Sequence, residues 1–536
     1  MISSWLLVFS SLLCARAFSA FYLHITDCDE TFNYWEPMHY LLYGKGLQTW
    51  EYSPEYGLRS YLYLILHAIP AWITKHVMVA SSVELFYMTR SMLAIICALF
   101  ETTLFSAIRD YFGICPSIIW VILQIVSPGM YISSTALLPS TFSMYMTMVF
   151  LFAWWNKKFK LAILSIVISS LIGWPFAALI SISFLYEILI QRRLFMLFIK
   201  WSVLFAIIVG APMLIVDSYI YGKTTFAPLN IILYNVFSSH GPNLFGVESR
   251  YFYLINLFLN FNIAWCFALS FPLTAVMVNF KKPSKLPTNG FGFAALFKTL
   301  PLYIWLFVFF IQPHKEERFM FPVYPVISLC GALGASNCIK WMSQKINVSF
   351  RNLIVGALGL YTILSISRIT ALYFNYHAPM DLPAYVNESS VVQNMCYGKE
   401  WHRSPGSFFL PLNYRLSFIK SNFNGILPAY YKEGQDGARV IHSYFNDKNV
   451  AHDHMLFDYS KCDYLIDLDL GDEYDPKNAE PNYSLDIETW EVVNTIKFLD
   501  VNNSWRLFRA FHLPMIGSSK LHFRNYNLLK RKSKLG

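Results

Sequence analysis

Twelve apolar runs divide this chain, near residues 4–23, 57–79, 86–108, 113–134, 138–155, 160–173, 174–190, 195–216, 252–279, 294–312, 319–337 and 352–373. A hydrocarbon core about 30 Å thick is crossed by roughly 20 residues of helix, and irregular backbone cannot face lipid unsatisfied. Most of these runs therefore commit the chain to membrane-spanning helices. Composition agrees: only 14% of residues are charged, against roughly 25% in a soluble domain. The formal net charge is +9, but the basic residues stand in short loops between apolar runs. That pattern reports membrane orientation. With no phosphate-cradling glycine loop and no nucleic-acid-binding motif, nucleic acid is excluded as a partner.

Basic clusters occur at Lys157, Lys158 and Lys160; at Arg192 and Arg193; at Lys281, Lys282 and Lys285; and at Lys340, Lys345 and Arg351. Two spans separate each cluster from the next, so all four share one face, the cytosolic one. The loop after Asp217 and the stretch "QPHKEERF" after Gln312 then lie on the opposite face. The run at 57–79 carries Arg59, Tyr61, Tyr63, His67, Pro70, Trp72 and Lys75, which suits a helix lying in the interface better than one buried in lipid. That choice puts the loop at Asp27 on the same face as the other two polar loops. The first run reads as an uncleaved span whose Arg16 snorkels or faces the protein interior. The expected architecture is a polytopic α-helical membrane protein of about eleven transmembrane helices with interfacial helices. Residues 1–373 form the membrane domain. Residues 374–536, polar and mixed with short β-like runs such as "CDYLIDLDL", form a small C-terminal α/β domain on the far side. There Cys396 and Cys462 could pair as a disulfide in an oxidising compartment. Three sequons fall in the same part, at Asn387, Asn482 and Asn502, and a fourth, at Asn347, falls in a cytosolic loop.

Three polar constellations share the non-cytosolic face. "DCDETFNYWEPMHYLL" reads as one helix from Asp27 to Leu42, with Asp27 and Glu30 spaced as an N-cap and its N3 partner. Capping leaves Asp29 over, near a helix start whose dipole favours the ionised form. A carboxylate at the water–lipid boundary can act as general base toward a hydroxyl; Glu30 is the rival for that role. Asp27 and Glu36 are candidate substrate contacts. "DCD" also resembles the Asp-x-Asp signature of soluble metal-dependent glycosyltransferases, but no accompanying ligands or nucleotide-binding unit support a metal. In "IQPHKEERFMFPVYP", His314, Lys315 and Arg318 concentrate positive charge where the orientation rule disfavours it. An anionic phosphate would explain the exception; Arg90 joins them as a candidate and Glu317 is assigned to substrate. The loop after Asp217 offers Asp217, Tyr221, Lys223, Asn230, Asn235 and His240, the aromatic, amide and charged groups that a sugar asks for.

Taken together, "DCDETFNYWEPMHYLLYGKGLQTWEYSP", "GWPF", "DSYIYGKTTFAPLNIILYNVF", "HGPNLFGVE" and "FIQPHKEERFMFPVYP" resemble the lipid-phosphate-sugar-dependent glycosyltransferases of the GT-C fold, family 22. "CYGKEWHR" and "KCDYLIDLD" extend the resemblance into the C-terminal part. Within that family the pattern is similar to the α-1,2-mannosyltransferases of asparagine-linked glycan assembly. The resemblance implies dolichyl-phosphate mannose as donor and dolichyl-diphosphate oligosaccharides of six and eight mannoses as acceptors. It also implies an active site and C-terminus in the lumen of the endoplasmic reticulum, and inversion at the transferred carbon. No cofactor or metal is expected, and membrane lipids are the remaining partners. Family members that begin this loop with His-Pro-Asp-Glu act on protein lipid anchors, and those with a Glu-Glu pair form α-1,6 linkages; both stand as alternatives. A transporter is the distant one, disfavoured because no internal repeat is present.

Overall fold

The computed structural model describes residues 2–237, 242–280, 291–434, 436–514 and 517–532. Lys281, Lys282 and Lys285, read above as a cytosolic cluster, lie outside them. The chain folds into two compact units, one of 1–21, 90–213 and 245–369, the other of 22–89, 214–244 and 370–536.

Among the described residues, seven helices are long and apolar enough to cross a membrane: Ser4–Tyr22, Ser82–Phe112, Phe195–Tyr221, Phe252–Asn279, Phe293–Ile311, Glu317–Ile346 and Phe350–Tyr376. They make this a multi-pass membrane protein. Shorter apolar helices include Ile114–Val126, Phe159–Gly173 and Pro175–Gln191. The run at 57–79 becomes the 17-residue helix Tyr61–Val77. One of its faces is buried on Tyr61, Leu64 and Ala71, while Leu66, Ile69, Trp72 and Ile73 are exposed.

The first unit is built on its small residues and its buried charges. In the helix Tyr324–Ile346, Gly331 and Gly334 run against the backbone of Phe252–Phe280, where an added Cβ would meet the Ala264 and Phe267 carbonyl oxygens at 2.8 and 2.1 Å. Small residues let helix backbones approach this closely in lipid, where no hydrophobic force drives them together. Arg16 resolves to the interior. Its Nε and Nη2 donate to the two carboxylate oxygens of Glu101 at 2.8 and 2.6 Å, and Nη2 donates again to the Gln124 carbonyl at 2.8 Å. Glu187 accepts from Lys298 Nζ (2.6 Å), Arg192 Nε (2.8 Å) and Trp154 Nε1 (2.8 Å), a satisfied acid of the kind a membrane interior tolerates. At "GWPF", Trp174 is extended (φ −124°, ψ 120°) between the helix ending at Gly173 and the turn Pro175–Ser181.

The second unit contains a five-stranded sheet whose strands lie, edge to edge, in the order Tyr414–Phe418, Gln393–Tyr397, Tyr464–Leu468, Phe523–Arg531, Trp490–Leu499. Its strands are β2 (Gln393–Tyr397), β3 (Tyr414–Phe418), β5 (Tyr464–Leu468), β6 (Trp490–Leu499) and β7 (Phe523–Arg531). β2 lies parallel to β3 and β5, and β7 antiparallel to β5 and β6. Strand periodicity sorts the side chains. Met395, Tyr397, Tyr464, Ile466 and Leu528 pack on one face, and Cys396, Leu465 and Leu529 on the other. On that second face Cys396 and Cys462 form a disulfide, Cα to Cα 5.9 Å. A two-stranded ladder pairs β1 (Leu47–Gln48) with β4 (Ala429–Tyr430), tying the segment after the acidic helix to the C-terminal residues of the same unit.

Candidate functional site

In the second unit the acidic stretch starts as expected and then departs from a uniform helix. Asp27, extended (φ −134°, ψ 121°), caps Cys28–Glu30, its side chain accepting the Asp29 amide at 2.9 Å. Thr31–Trp35 then widens to a π turn, and α-helix resumes over Glu36–Tyr43 until Gly44 ends it in the left-handed region (φ 69°). π turns inside helices occur often at functional sites. The turn redistributes the acids. Glu30 is buried and accepts Trp35 Nε1 at 3.0 Å. Trp35 is itself fully buried, its ring 4.3 Å from Phe86 and 5.5 Å from Phe408. Asp29 remains half-buried at the head of the helix.

Glu36, expected among the substrate contacts, has a structural post. It is fully buried, and its carboxylate accepts the Leu47 amide (2.9 Å), the Ser407 amide (2.5 Å) and the Ser407 hydroxyl (3.0 Å). Burial pushes its carboxyl up to about 6, and the hydrogen bonds from Ser407 and Leu47 pull the other way.

Arg59, read in the sequence as one of the interfacial residues of the 57–79 run, brings a cation to this neighbourhood. It makes a forked contact with Glu51 (2.9 and 3.2 Å), and its Nη1 donates to the Tyr34 hydroxyl at 2.7 Å. Burial favours loss of its proton, but Glu51, Tyr34 and Asp29 outweigh that, and the guanidinium stays charged. Its field therefore acts on Asp29. Tyr34 belongs to the π turn, so the fork also fixes the backbone just after the Asp29 turn.

The loop after Asp217 grips the Arg59 segment. Asp217, fully buried, accepts the Ser60 hydroxyl (3.1 Å) and the Leu62 amide (3.2 Å), capping Tyr61–Val77. Tyr221 donates to the Arg59 carbonyl (2.7 Å), Lys223 Nζ to the Glu55 carbonyl (3.1 Å), and Asn230 Nδ2 to the Tyr56 and Gly57 carbonyls (3.3 and 3.0 Å). Asn235 Nδ2 bonds Ile231 within its own helix (2.8 Å). Expected to meet sugar, Tyr221, Lys223, Asn230 and Asn235 commit donors to backbone carbonyls, and Asp217 accepts from Ser60 and Leu62. Aromatics and amides suit loop clamping as well as carbohydrate binding, and spacing alone cannot separate the two. His240 lies outside the described residues.

The cationic cluster belongs to the first unit. His314 places Nδ1 2.7 Å from the Gly246 carbonyl and Nε2 2.8 Å from Glu316 Oε1. Arg318 pairs with the other oxygen of Glu316, and Lys315, mostly buried, donates to the Gln312 carbonyl. Burial opposes protonation of His314, yet the bonds to Glu316 and Gly246 and the Glu316 charge prevail, so its pKa is raised. Glu317, expected to bind substrate, accepts Asn256 and Asn260 Nδ2 at 3.0 and 2.8 Å, fixing the turn on Phe252–Phe280. The "GWPF" Trp174 stacks on Phe319 with ring centroids 5.2 Å apart, buttressing the turn from the other side. Arg90, expected to join the phosphate pocket, is 1% exposed and donates to the Ser19 carbonyl (3.3 Å) and Thr135 Oγ1 (3.1 Å). Its position within a span places it among neighbouring helices.

Among the described residues, one group could hold a metal: Asp27, Cys28 and Asp29 each offer an atom within 4.8 Å of the others. The donor set fits poorly. A thiolate prefers soft metals and carboxylates hard ones, and one Asp27 oxygen already caps the Asp29 amide.

Comparison with known proteins gives one concordant result. The Alg9-like mannosyltransferase family matches over residues 7–411. The Drosophila melanogaster protein named alpha-1,2-mannosyltransferase Alg9 is 46% identical, covering 98% of this chain and 87% of its own length. The Homo sapiens protein of that name is 42% identical over 98% of this chain and 89% of its own. In three dimensions, ArnT from Cupriavidus metallidurans, solved bound to undecaprenyl phosphate, superposes with a TM-score of 0.54 at 11% identity, covering 79% of this chain and 87% of ArnT. That likeness is one of fold, and the fold is GT-C.

Proposed function

The chain belongs to the Alg9-like mannosyltransferase family and is an α-1,2-mannosyltransferase, and from that premise we propose its donor, acceptors and site. Mannose comes from dolichyl-phosphate mannose. It passes with inversion to dolichyl-diphosphate oligosaccharides carrying six, and later eight, mannoses, on the luminal face of the endoplasmic-reticulum membrane. The observation that carries this reading is likeness along nearly the whole chain to relatives named for α-1,2-mannosyl transfer. The positive-inside pattern supports the orientation.

A β-linked donor and an α-linked product require one displacement. The acceptor 2-hydroxyl attacks C1, the new C1–O bond forms as the C1–O bond to phosphate breaks, and the lipid phosphate leaves with the electron pair. Asp29 takes the hydroxyl proton. Of the two rival acids, Glu30 is buried on the Trp35 indole, whereas Asp29 is half-buried at a capped helix start, where the dipole keeps it ionised. Arg59 stays charged and interacts electrostatically with Asp29. Lys315, Arg318 and protonated His314 neutralise the departing phosphate, an electrostatic task that needs no metal. The Glu316 carboxylate holds His314 and Arg318 on its two oxygens, and it yields them as the phosphate arrives.

Purified chain supplied with a dolichyl-phosphate mannose analogue tests the reading against six-mannose, eight-mannose and anchor-type acceptors. Transfer to the first two, in a linkage cleaved by an α-1,2-specific mannosidase, is expected. Transfer to the anchor acceptor alone, or an α-1,6 product, overturns it.

A further inference from the structure

Four Asn-x-Ser sequons are present, at Asn387, Asn482, Asn502 and Asn347, and the fold treats them differently. Their hydroxyl residues offer no distinction where the C-terminal domain is concerned. Ser389 Oγ donates to the Val391 carbonyl at 2.9 Å, Ser484 Oγ to Asp467 Oδ2 at 2.8 Å, and Ser504 Oγ to the His522 carbonyl at 3.2 Å. With all three hydroxyls engaged in the folded domain, modification must come before folding, and the native state then sorts which modified asparagines it can hold.

Asn482 fails that test. It is 4% exposed, and its Nδ2 donates to Asp469 Oδ1 at 2.8 Å and to the Asp472 carbonyl at 2.9 Å. A sugar on that nitrogen would take one N–H and has no room beside a buried side chain. It would leave a buried acceptor unpaired. Asn387 and Asn502 pass: both side chains are exposed in loops. Only the backbone of Asn387 is engaged, its carbonyl accepting the Tyr414 hydroxyl at 2.7 Å. Asn502 contributes its backbone N–H to Asp500 Oδ1 at 3.1 Å, and its side chain is exposed. Asn347 is also exposed, but it follows the helix Tyr324–Ile346 on the face marked cytosolic by Lys340, Lys345 and Arg351.

We infer that this enzyme is itself a glycoprotein, N-glycosylated at Asn387 and Asn502 and unmodified at Asn482 and Asn347. The inference rests on the luminal orientation of residues 374–536 proposed above. The co-reactant is a lipid-diphosphate-linked oligosaccharide, the chemical class to which this enzyme adds mannose. Asn Nδ2 attacks its C1, the N–C1 bond forms, the C1–O bond to diphosphate breaks, and the amide gives up one proton to base. Part of the enzyme's own acceptor class would thus end covalently on the enzyme.

The test uses full-length chain expressed in a secretory membrane and purified folded, with a flexible tail bearing one Asn-Gly-Thr appended as orientation control. Enzymatic deglycosylation in heavy-oxygen water followed by mass spectrometry should mark Asn387, Asn502 and the control. N387Q and N502Q should each remove one mobility step, N482Q none. If the control is marked but Asn387 or Asn502 is not, the assignment fails at that site. A mark at Asn482 or Asn347 overturns the sorting argument. If the control too is unmarked, the luminal orientation fails, and the inference with it.

Discussion

Replacing Glu36 by Gln probes the clasp that holds the acidic helix. Its two oxygens receive the Leu47 amide, the Ser407 amide and the Ser407 hydroxyl. Gln keeps one acceptor oxygen and turns an NH2 group toward a backbone N–H. That loses a charge-assisted bond of about 1.5–3 kcal/mol and strands a buried donor at a further 1–3 kcal/mol. Against this, the wild-type carboxyl, raised from 4.5 to about 6 chiefly by burial, is held ionised at neutral pH at a cost of about 2 kcal/mol, which Gln avoids. The net expectation is a loss of about 0.5–4 kcal/mol at pH 7.5, taking the difference of these contributions. The sign of the pH dependence follows from the raised pKa. The folded state binds the proton more tightly, so this group's contribution is fully present below 4.5 and is lost as pH rises to about 6. The Gln variant lacks that slope, so its deficit should widen by up to about 2 kcal/mol on acidification. Thermal unfolding in detergent at pH 7.5 and pH 5 reads the gap, and amide exchange at Leu47 and Ser407 localises it. Equal stability at both pH values with unchanged exchange would mean that Glu36 does not clasp Leu47 and Ser407.

Other outcomes follow from the same contacts. R16M should leave Glu101 charged and unpaired among helices, costing about 3–5 kcal/mol in detergent stability, and R16M with E101L should recover most of it; equal instability of the double variant would deny that the pair is what matters. His314 is cationic below its raised pKa and neutral above it, so donor KM should rise as pH climbs through that raised value, above the ordinary histidine range; H314N should flatten that limb, and an unchanged profile would remove His314 from phosphate binding. EDTA should leave transfer rates unchanged, whereas loss of activity restored by a divalent ion would make Asp27, Cys28 and Asp29 a metal site.

The long apolar helices and the start of the acidic helix were legible because each rests on local pattern. Run length and the Asp27 cap both lie within a few neighbours. The role of Glu36 was not legible, since its partner Ser407 is 371 residues away. The π turn at Thr31–Trp35 has no periodic signature, and without it Glu30 reads as the closing half of a capping box instead of the acceptor of the Trp35 indole. Arg90 looked like a membrane-face cation because span depth is not written in a single residue. The structure buries it on Ser19 and Thr135. For Asp217, Tyr221 and Asn230 the residue types suit two jobs, and only the positions of their partners, the Ser60 hydroxyl and Leu62 amide for Asp217 and the Arg59, Tyr56 and Gly57 carbonyls for the other two, show the loop-clamping one.

Single-turnover mannose transfer by Asp29→Asn, beside Glu30→Gln and wild type, tests the central chemistry most directly. With folded enzyme and saturating donor, Asn at 29 should abolish transfer while donor binding persists. Gln at 30 should retain measurable turnover. Normal turnover by the Asp29 variant, with loss confined to the Glu30 variant, would move the base one residue along the helix, to Glu30.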